Sequence, residues 1–471
     1  MGETKMKSST LLIVLLVIYL IGLVVIGFMD IRRSKSFSDF AVAGKKQASF
    51  VVIMSLLATV IGASTTMGLT DTVFNIGFPG IWWLAFGAIG LILQSLFISK
   101  KVREMNSDTL PHAAGMMLGR PAELIISLII VVSWVGVIAG QFVAMNGLIT
   151  FITGKNSKTV FVIVIAAVIL YITIGGQLSV VKTDVIQFLI IIFGILTCFV
   201  YLYFFKEGET GVSSRDFELI NDNYRPINLV TQFFIIGGVY FLGPDIMSRN
   251  LISKNSKTAR RSAMLSGVFL LAYSVILVLI GVWARRNISA EELNGMNTLL
   301  YVISEKIPSW VGAVMSLGLV SAMISTIDTC IINSSTIFVK DILKKDSVGL
   351  VRIAVVVNGA LALIFALSDS GDIIKMLSNA YSVYTPGVIF PLLVAILAYK
   401  KKSINVVIWV ASVLAGGVFG FTGAYFSEFI KDLHLPEFIS NNLSLVGMGI
   451  SLIGAVISVL AGGKSKFEEK E

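Results

Sequence analysis

The sequence predicts an all-α, polytopic membrane protein, and three observations predict it. Of 471 residues, 56% are hydrophobic and only 14% are charged, where a soluble globular chain carries about 25% charge. The mean hydropathy is +0.88. The apolar residues fall into runs of the length a helix needs to cross a bilayer, roughly 20 residues, and clusters of charge separate the runs. Together these exclude a water-exposed globular enzyme.

In chain order the predicted spans are 9–29, 47–69, 77–99, 121–150, 159–175, 182–205, 229–250, 259–284, 309–338, 350–368, 373–399, 404–426 and 443–462, about 13 helices by the length criterion. The first is long enough to cross and lacks a small-residue cleavage site, so it reads as a span and not as a signal peptide. Five cations follow it: Arg32, Arg33, Lys35, Lys45 and Lys46. The third span runs into Lys100, Lys101 and Arg103, and Arg120 opens the fourth. Lys182 lies between the fifth and sixth. Arg249, Lys254, Lys257, Arg260 and Arg261 separate the seventh from the eighth, and Lys340, Lys344, Lys345 and Arg352 the ninth from the tenth. Lys400 to Lys402 precede the twelfth, and Lys464, Lys466 and Lys470 follow the last.

Those loops alternate, so they lie on one side. They hold 25 of the 37 Lys and Arg residues, leaving 12 for the other side. By the positive-inside rule the N-terminus is outside and the C-terminus cytoplasmic. The net charge of +9 is therefore membrane topology and gives no reason to expect nucleic acid. The longest polar stretches, 206–228 and 427–442, are too short to be domains.

Cys198 and Cys330 lie in apolar runs and form neither a disulfide framework nor a thiolate metal site. Two histidines, His112 and His434, lie outside the spans and leave little material for a histidine metal site or proton relay. The tail Gly462-Gly-Lys-Ser465 resembles the end of a P-loop, but Ser458 stands where its first glycine would be. Neither G-x-S-x-G nor H-E-x-x-H occurs, so no hydrolase nucleophile or zinc site is visible.

Two spans are interrupted. The second carries Gly62, Ala63, Ser64, Thr65, Thr66 and Gly68, and the seventh carries Gly237, Gly238, Gly243 and Pro244. They stand five helices apart, the pattern of broken helices in an inverted-repeat transporter. Single glycines otherwise serve helix packing, the role expected of Gly416 and Gly420.

The segment Leu319–Thr336 sets Ser325, Asp328 and Thr329 at i, i+3 and i+4, with Thr326 beside them. That spacing lines hydroxyls and a carboxylate along one helix face, and hard monovalent cations favour oxygen ligands. A carboxylate within the membrane makes Asp328 a functional candidate. The alternative is that the hydroxyls bond back to their own helix and that Asp328 is hydrated near a helix end.

Four segments resemble the sodium:solute symporter family, which includes sodium/proline, sodium/pantothenate, sodium/sialic acid and sodium/glucose cotransporters. They are Asp39–Gly44, Gly175–Gln187, Gly243–Arg249 and Leu319–Thr336. The resemblance implies a LeuT-type core of two inverted five-helix repeats, with one helix before it and two after. The corresponding divisions are 1–46, 47–205, a loop at 206–228, 229–402 and 403–471. It also implies a sodium ion held by the carbonyls of Ala58, Ile61 and Ala322 and the hydroxyls of Ser325 and Thr326. Asp184, Asp328 and Thr329 match a second sodium or an exit path, although Asp184 also reads as a helix N-cap. For the solute, Thr65 matches a pocket hydroxyl of sialic acid carriers. Gln141 is its neighbour, and Phe234, Tyr240 and Tyr381 are candidate aromatic walls. Val60 replaces an acidic residue of proline carriers, and no Arg or Lys is apparent within the spans.

The expected function is sodium-coupled symport of a small organic solute across a prokaryotic cytoplasmic membrane by alternating access. Sodium is the coupling ion, the partners are the solute and the lipid bilayer, and no enzyme activity is expected. A proton-coupled carrier using Asp184 and Asp328 is the nearest rival, and a transporter-like sensor a more distant one.

Overall fold

The structure is a computed structural model that describes residues 2–31, 34, 36–206, 208, 217–368, 373–432 and 436–462. Arg32, Arg33, Lys35, His434, residues 207 and 209–216 of the 206–228 loop, and the tail from 463 lie outside them. Regular structure among the described residues is helical, with isolated bridges at Gln47–Ser253 and Asn221–Tyr224.

We label the long helices α1 (Leu12–Asp30), α2 (Ser49–Val60), α3 (Ser64–Ile76), α4 (Phe78–Phe97), α5 (Arg120–Thr153), α6 (Lys158–Phe204) and α7 (Pro226–Ile252). The series continues with α8 (Ser256–Asn287), α9 (Ser309–Ile342), α10 (Val348–Ser368), α11 (Ile373–Ala398), α12 (Val406–Tyr425) and α13 (Leu443–Leu460). Among the described residues 11 are long and apolar enough to cross a membrane, or 12 when the bent pair α2 and α3 counts as one.

The 47-residue α6 contains a non-helical Gly176, φ 62° and ψ −166°. The Tyr171 hydroxyl meets Thr183 Oγ1 at 2.5 Å. Twelve residues of straight helix would separate them by about 18 Å, so the chain folds back at Gly176. Glycine is required there, because the φ is left-handed and a β-carbon would lie 2.6 Å from the Phe40 ring.

The interruption predicted in the second span is a 63° bend between α2 and α3, centred on Ile61 (φ −92°, ψ 79°). In α7 the helix stops at Gly243, which is extended, and restarts at Pro244, a residue that needs no hydrogen bond to its nitrogen at a helix start. Helix α9 packs against α5, α6 and α10 and is buried almost all round from Val311 to Ile337. Its hydroxyls and Asp328 therefore face protein, away from lipid and water. At Gly416 and Gly420, α12 lies so close to α11 that β-carbons would strike the Pro386 and Ser382 carbonyls, the packing role expected from sequence.

The two ends of the bundle differ. At one, Lys45 pairs with Asp108 at 2.9 Å, and Lys340 pairs with Asp108 at 3.5 Å and Asp346 at 2.6 Å. Glu123 there takes Lys344 and, at 3.3 Å, Arg120. Burial pushes the Asp108 carboxyl up, but Lys45 and Lys340 together outweigh it and hold it below the usual carboxylate range. Burial lowers the neighbouring His112. At the other end opens a cavity of about 1000 Å³, lined by Met67, Asp71, Asn75, Asn146, Thr150 and Asn297 among others.

Candidate functional site

Breaking a helix frees backbone groups that must find partners. At the α2/α3 bend the Ala63 N–H donates to Gln141 Oε1 at 3.0 Å, so Gln141 acts from α5 as a cap for α3. The Thr59 carbonyl accepts the Thr326 hydroxyl at 2.9 Å. Thr65 donates to the carbonyls of Val60 and Gly62, at 3.2 and 3.0 Å. Tyr240 donates to Val60 at 3.4 Å. Among the described residues, no side chain donates to the carbonyls of Ala58 or Ile61, both completely buried.

Facing this bend, α9 presents Ala322, Ser325 and Thr326. The Thr326 hydroxyl also reaches the Ala322 carbonyl, at 3.1 Å, and a β-carbon at Gly62 would lie 2.6 Å from it. Ser325 donates to Asp184 Oδ1 at 2.5 Å. Both hydroxyls spend their protons on other acceptors, which leaves oxygen lone pairs for a cation. The five residues expected to hold sodium thus lie on two facing helices.

Asp184 is the centre of a second cluster. It lies inside the second leg of α6, well past Gly176, so it caps no helix. It is fully buried and accepts from Ser55 on α2 and Ser325 on α9. Arg249 Nη2 lies 2.9 Å from Asp184 Oδ2 and 2.9 Å from Thr59 Oγ1, and also touches Thr329. Thr329 and Thr59 are 3.2 Å apart. Beside them Asp328 takes the Tyr171 hydroxyl at 3.4 Å and Thr329 at 3.4 Å.

Arg249 corrects the sequence reading, which counted it among loop cations and found no basic residue within the spans. Its side chain is 1% exposed. The break at Gly243 turns Pro244–Ile252 inward, and every residue of that segment is buried. A charge at the end of an apolar run looks like a loop cation until the break is placed. The available signal was the four-residue spacing from Asp245 to Arg249 behind the Gly-Pro break.

The expected solute residues divide. Tyr240 and Gln141 touch the α2/α3 bend, and Thr65 belongs to it. Tyr381 packs 6.4 Å from Trp134, which stacks edge-on with Tyr384 at 5.0 Å; Tyr384 in turn donates to the Leu242 carbonyl at the α7 break, at 2.7 Å. Phe234 is elsewhere. It packs on Phe233 and Phe390 and lines an apolar groove of about 320 Å³ with Leu93, Phe97 and Leu397. Sequence reasoning missed Ser55, Tyr171, Trp134, Tyr384 and Asp245.

Two helices broken beside buried oxygens, with ion pairs bridging one end of the bundle and a cavity at the other, are the arrangement expected of a secondary transporter. The sequence model of the sodium:solute symporter family matches residues 40–405, and the chain belongs to that family. The sodium/proline symporter of Escherichia coli K12 is 24% identical, over 99% of this chain and 97% of its own. A high-affinity proline transporter of Bacillus subtilis is 24% identical, over 91% and 95%. A high-affinity choline transporter of Caenorhabditis elegans is 24% identical, over 76% and 68%. Among solved structures, a Na+-coupled sialic acid symporter in a substrate-bound outward-open state aligns over 97% of this chain and 98% of its own, with a TM-score of 0.77 and 17% identity. Mhp1, a nucleobase-cation-symport-1 transporter, covers 91% and 97% with a TM-score of 0.61 and 15% identity. The fold is the LeuT type, and the protein is a sodium-coupled solute symporter.

Proposed function

We propose that sodium enters between the Ala58 and Ile61 carbonyls on α2 and Ala322, Ser325 and Thr326 on α9, and that its arrival fixes the geometry of the solute pocket. The observation that carries this reading is the Thr326–Thr59 hydrogen bond, which places the paired hydroxyls of α9 against the broken segment of α2. A bound cation adds to the bonds that already join the two repeats here, Thr326 to Thr59 and Ser325 to Asp184 among them. It therefore favours the conformation in which the pocket is built, and sodium and solute raise each other's affinity.

Arg249 occupies the oxygens of Asp184, Thr59 and Thr329 that a second cation would use. We read it as a tethered cation, so that one sodium moves per cycle. Counting α6 as two spans and α2 with α3 as one gives thirteen, an outside N-terminus and a cytoplasmic C-terminus. On that orientation the Lys45–Asp108–Lys340 network closes the cytoplasmic end and the cavity is the outer vestibule, so the conformation faces outward. The divisions at 47–205 and 229–402 then correspond to the two repeats, in a prokaryotic cytoplasmic membrane.

Uptake into proteoliposomes tests this directly. A sodium gradient alone is expected to drive accumulation, with a sodium Hill coefficient near one. Uptake driven by a proton gradient in sodium-free buffer would favour Asp184 and Asp328 as proton carriers instead.

A further inference from the structure

We propose that an anionic phospholipid docks against α4, α7 and α11, with an acyl chain in the apolar groove beside the α7 break and its phosphate among Lys101, Lys400 and Lys401. The site lies apart from the positions given to sodium and solute, and the symport reading does not depend on it.

The groove of about 320 Å³ is walled by Leu93 and Phe97 of α4 and by Phe390 and Leu397 of α11, with Gly237, Gly238 and Phe241 of α7 between them. Helix α7 packs against both α4 and α11. A β-carbon at Gly90 would lie 2.4 Å from the Gly237 carbonyl, so α4 and α7 meet backbone to backbone there. No polar or charged side chain is among the described residues that line the groove. It opens sideways: Phe97 is 52% and Leu397 42% exposed, both at the ends of helices long and apolar enough to cross a membrane. What faces such a surface is the bilayer, and the occupant it supplies is a lipid tail. A tail gains little by moving from one apolar medium to another, so the groove fixes shape and the head must supply selectivity.

The head has a place in line with the tail. Leu397 also borders a second cavity, of about 400 Å³, lined by Lys101, Glu104, Tyr399, Lys400 and Lys401 among others, so the apolar groove and the basic pocket share a wall. Both flanking helices run into lysines, α4 into Lys100 and Lys101 and α11 into Lys400, Lys401 and Lys402. The pocket's one acid, Glu104, takes Lys100 at 4.0 Å. Among the described residues, Lys101, Lys400 and Lys401 form no ion pair with an acid, and Lys400 lies over the Tyr399 ring at 5.6 Å.

Three uncompensated ammonium groups at the end of two spans stand at the depth of a phospholipid head, and basic pockets between spans take anionic heads. On the orientation proposed above, that face is cytoplasmic. A soluble phosphate would fill the basic pocket and leave the groove, whereas a phospholipid fills both. The groove also touches the last turns of α7 before Gly243, so a seated tail braces the half-helix that leads into the break.

The test is thermal unfolding of the full-length protein in detergent, delipidated until mass spectrometry detects no bound phospholipid. Dioleoyl phosphatidylglycerol is compared with dioleoyl phosphatidylcholine, which has the same tails, and with sn-glycerol 3-phosphate, which has no tail. Phosphatidylglycerol is expected to raise Tm well above the rise given by phosphatidylcholine, and glycerol phosphate to give none. In Lys101→Gln with Lys401→Gln, both on the surface, the phosphatidylglycerol midpoint is expected to move roughly 30-fold to higher concentration. Leu93→Trp fills the groove and is expected to weaken the response to both lipids while the lysines remain. Equal rises from the two lipids would show an apolar surface without head selectivity and overturn the proposal. A rise from glycerol phosphate equal to that from phosphatidylglycerol would overturn it in favour of a soluble phosphate site. No rise with phosphatidylglycerol, an unmoved midpoint in the double lysine variant, or an undiminished response in Leu93→Trp would overturn it as well.

Discussion

Arg249 and Asp184, 65 residues apart in sequence, form an ion pair at 2.9 Å with side chains 1% and 0% exposed. Each comes from a segment next to a helix irregularity, Arg249 after the α7 break and Asp184 after the α6 reversal. The pair also draws in Ser55 and Thr59 of α2 and Ser325 and Thr329 of α9. The broken helices and α9 are thus held by one polar knot in the membrane interior.

Removing one member of a buried pair leaves an uncompensated charge, a loss of about 3–5 kcal/mol. Arg249→Gln is expected to lower the melting temperature sharply, and sodium is expected to restore part of the loss by occupying the vacated oxygens. Arg249→Lys keeps the charge but not the reach with which the single Nη2 atom meets Asp184, Thr59 and Thr329, so it should fall between. Unfolding measured in low and high sodium for both variants checks this; a variant whose stability ignores sodium would argue against the tethered-cation role.

Gly176→Ala forces a side chain into a left-handed backbone and against Phe40. Strain of this kind costs about 1–3 kcal/mol. Reduced melting temperature and lower yield of folded protein are expected, and a neutral outcome would mean the α6 reversal tolerates another conformation.

Because Lys45 and Lys340 hold Asp108 below its ordinary value, its contribution to closing that end is present above the unfolded pKa and is lost as pH falls through the lower, folded value. Acid, below about pH 4, is therefore the window in which the latch weakens. Asp108→Asn should abolish that acid-dependent step and loosen the end at neutral pH. Alkylation of a cysteine introduced by Ser253→Cys, at a position buried beside Arg103, reads the opening; unchanged labelling in Asp108→Asn would show that the latch does not control access.

Much of the fold was legible because hydrophobic run length and charge spacing are set by the bilayer and need no tertiary information. The breaks at Gly62 and at Gly243-Pro244 were legible too, since glycine and proline alter the backbone locally. The boundary between the fifth and sixth spans and the line of hydroxyls in α9 also stand out along the chain. Arg249 did not, because its burial depends on which way the half-helix after Gly243 turns. Trp134 and Tyr384 were equally hidden: an aromatic residue in an apolar run gives no sign of whether it meets lipid, core or a helix break, and Phe234 was misplaced for that reason.

The most direct measurement is thermal unfolding of the purified protein in sodium chloride against potassium and choline-free lithium-free controls, for the wild type and for Ser325→Ala with Thr326→Ala. A ligand that binds the native state alone raises the melting temperature by mass action. A rise specific to sodium that vanishes in the double variant is the expected result. A sodium rise that survives in the double variant, or no rise in the wild type at saturating sodium, would contradict the placement of the ion between α2 and α9.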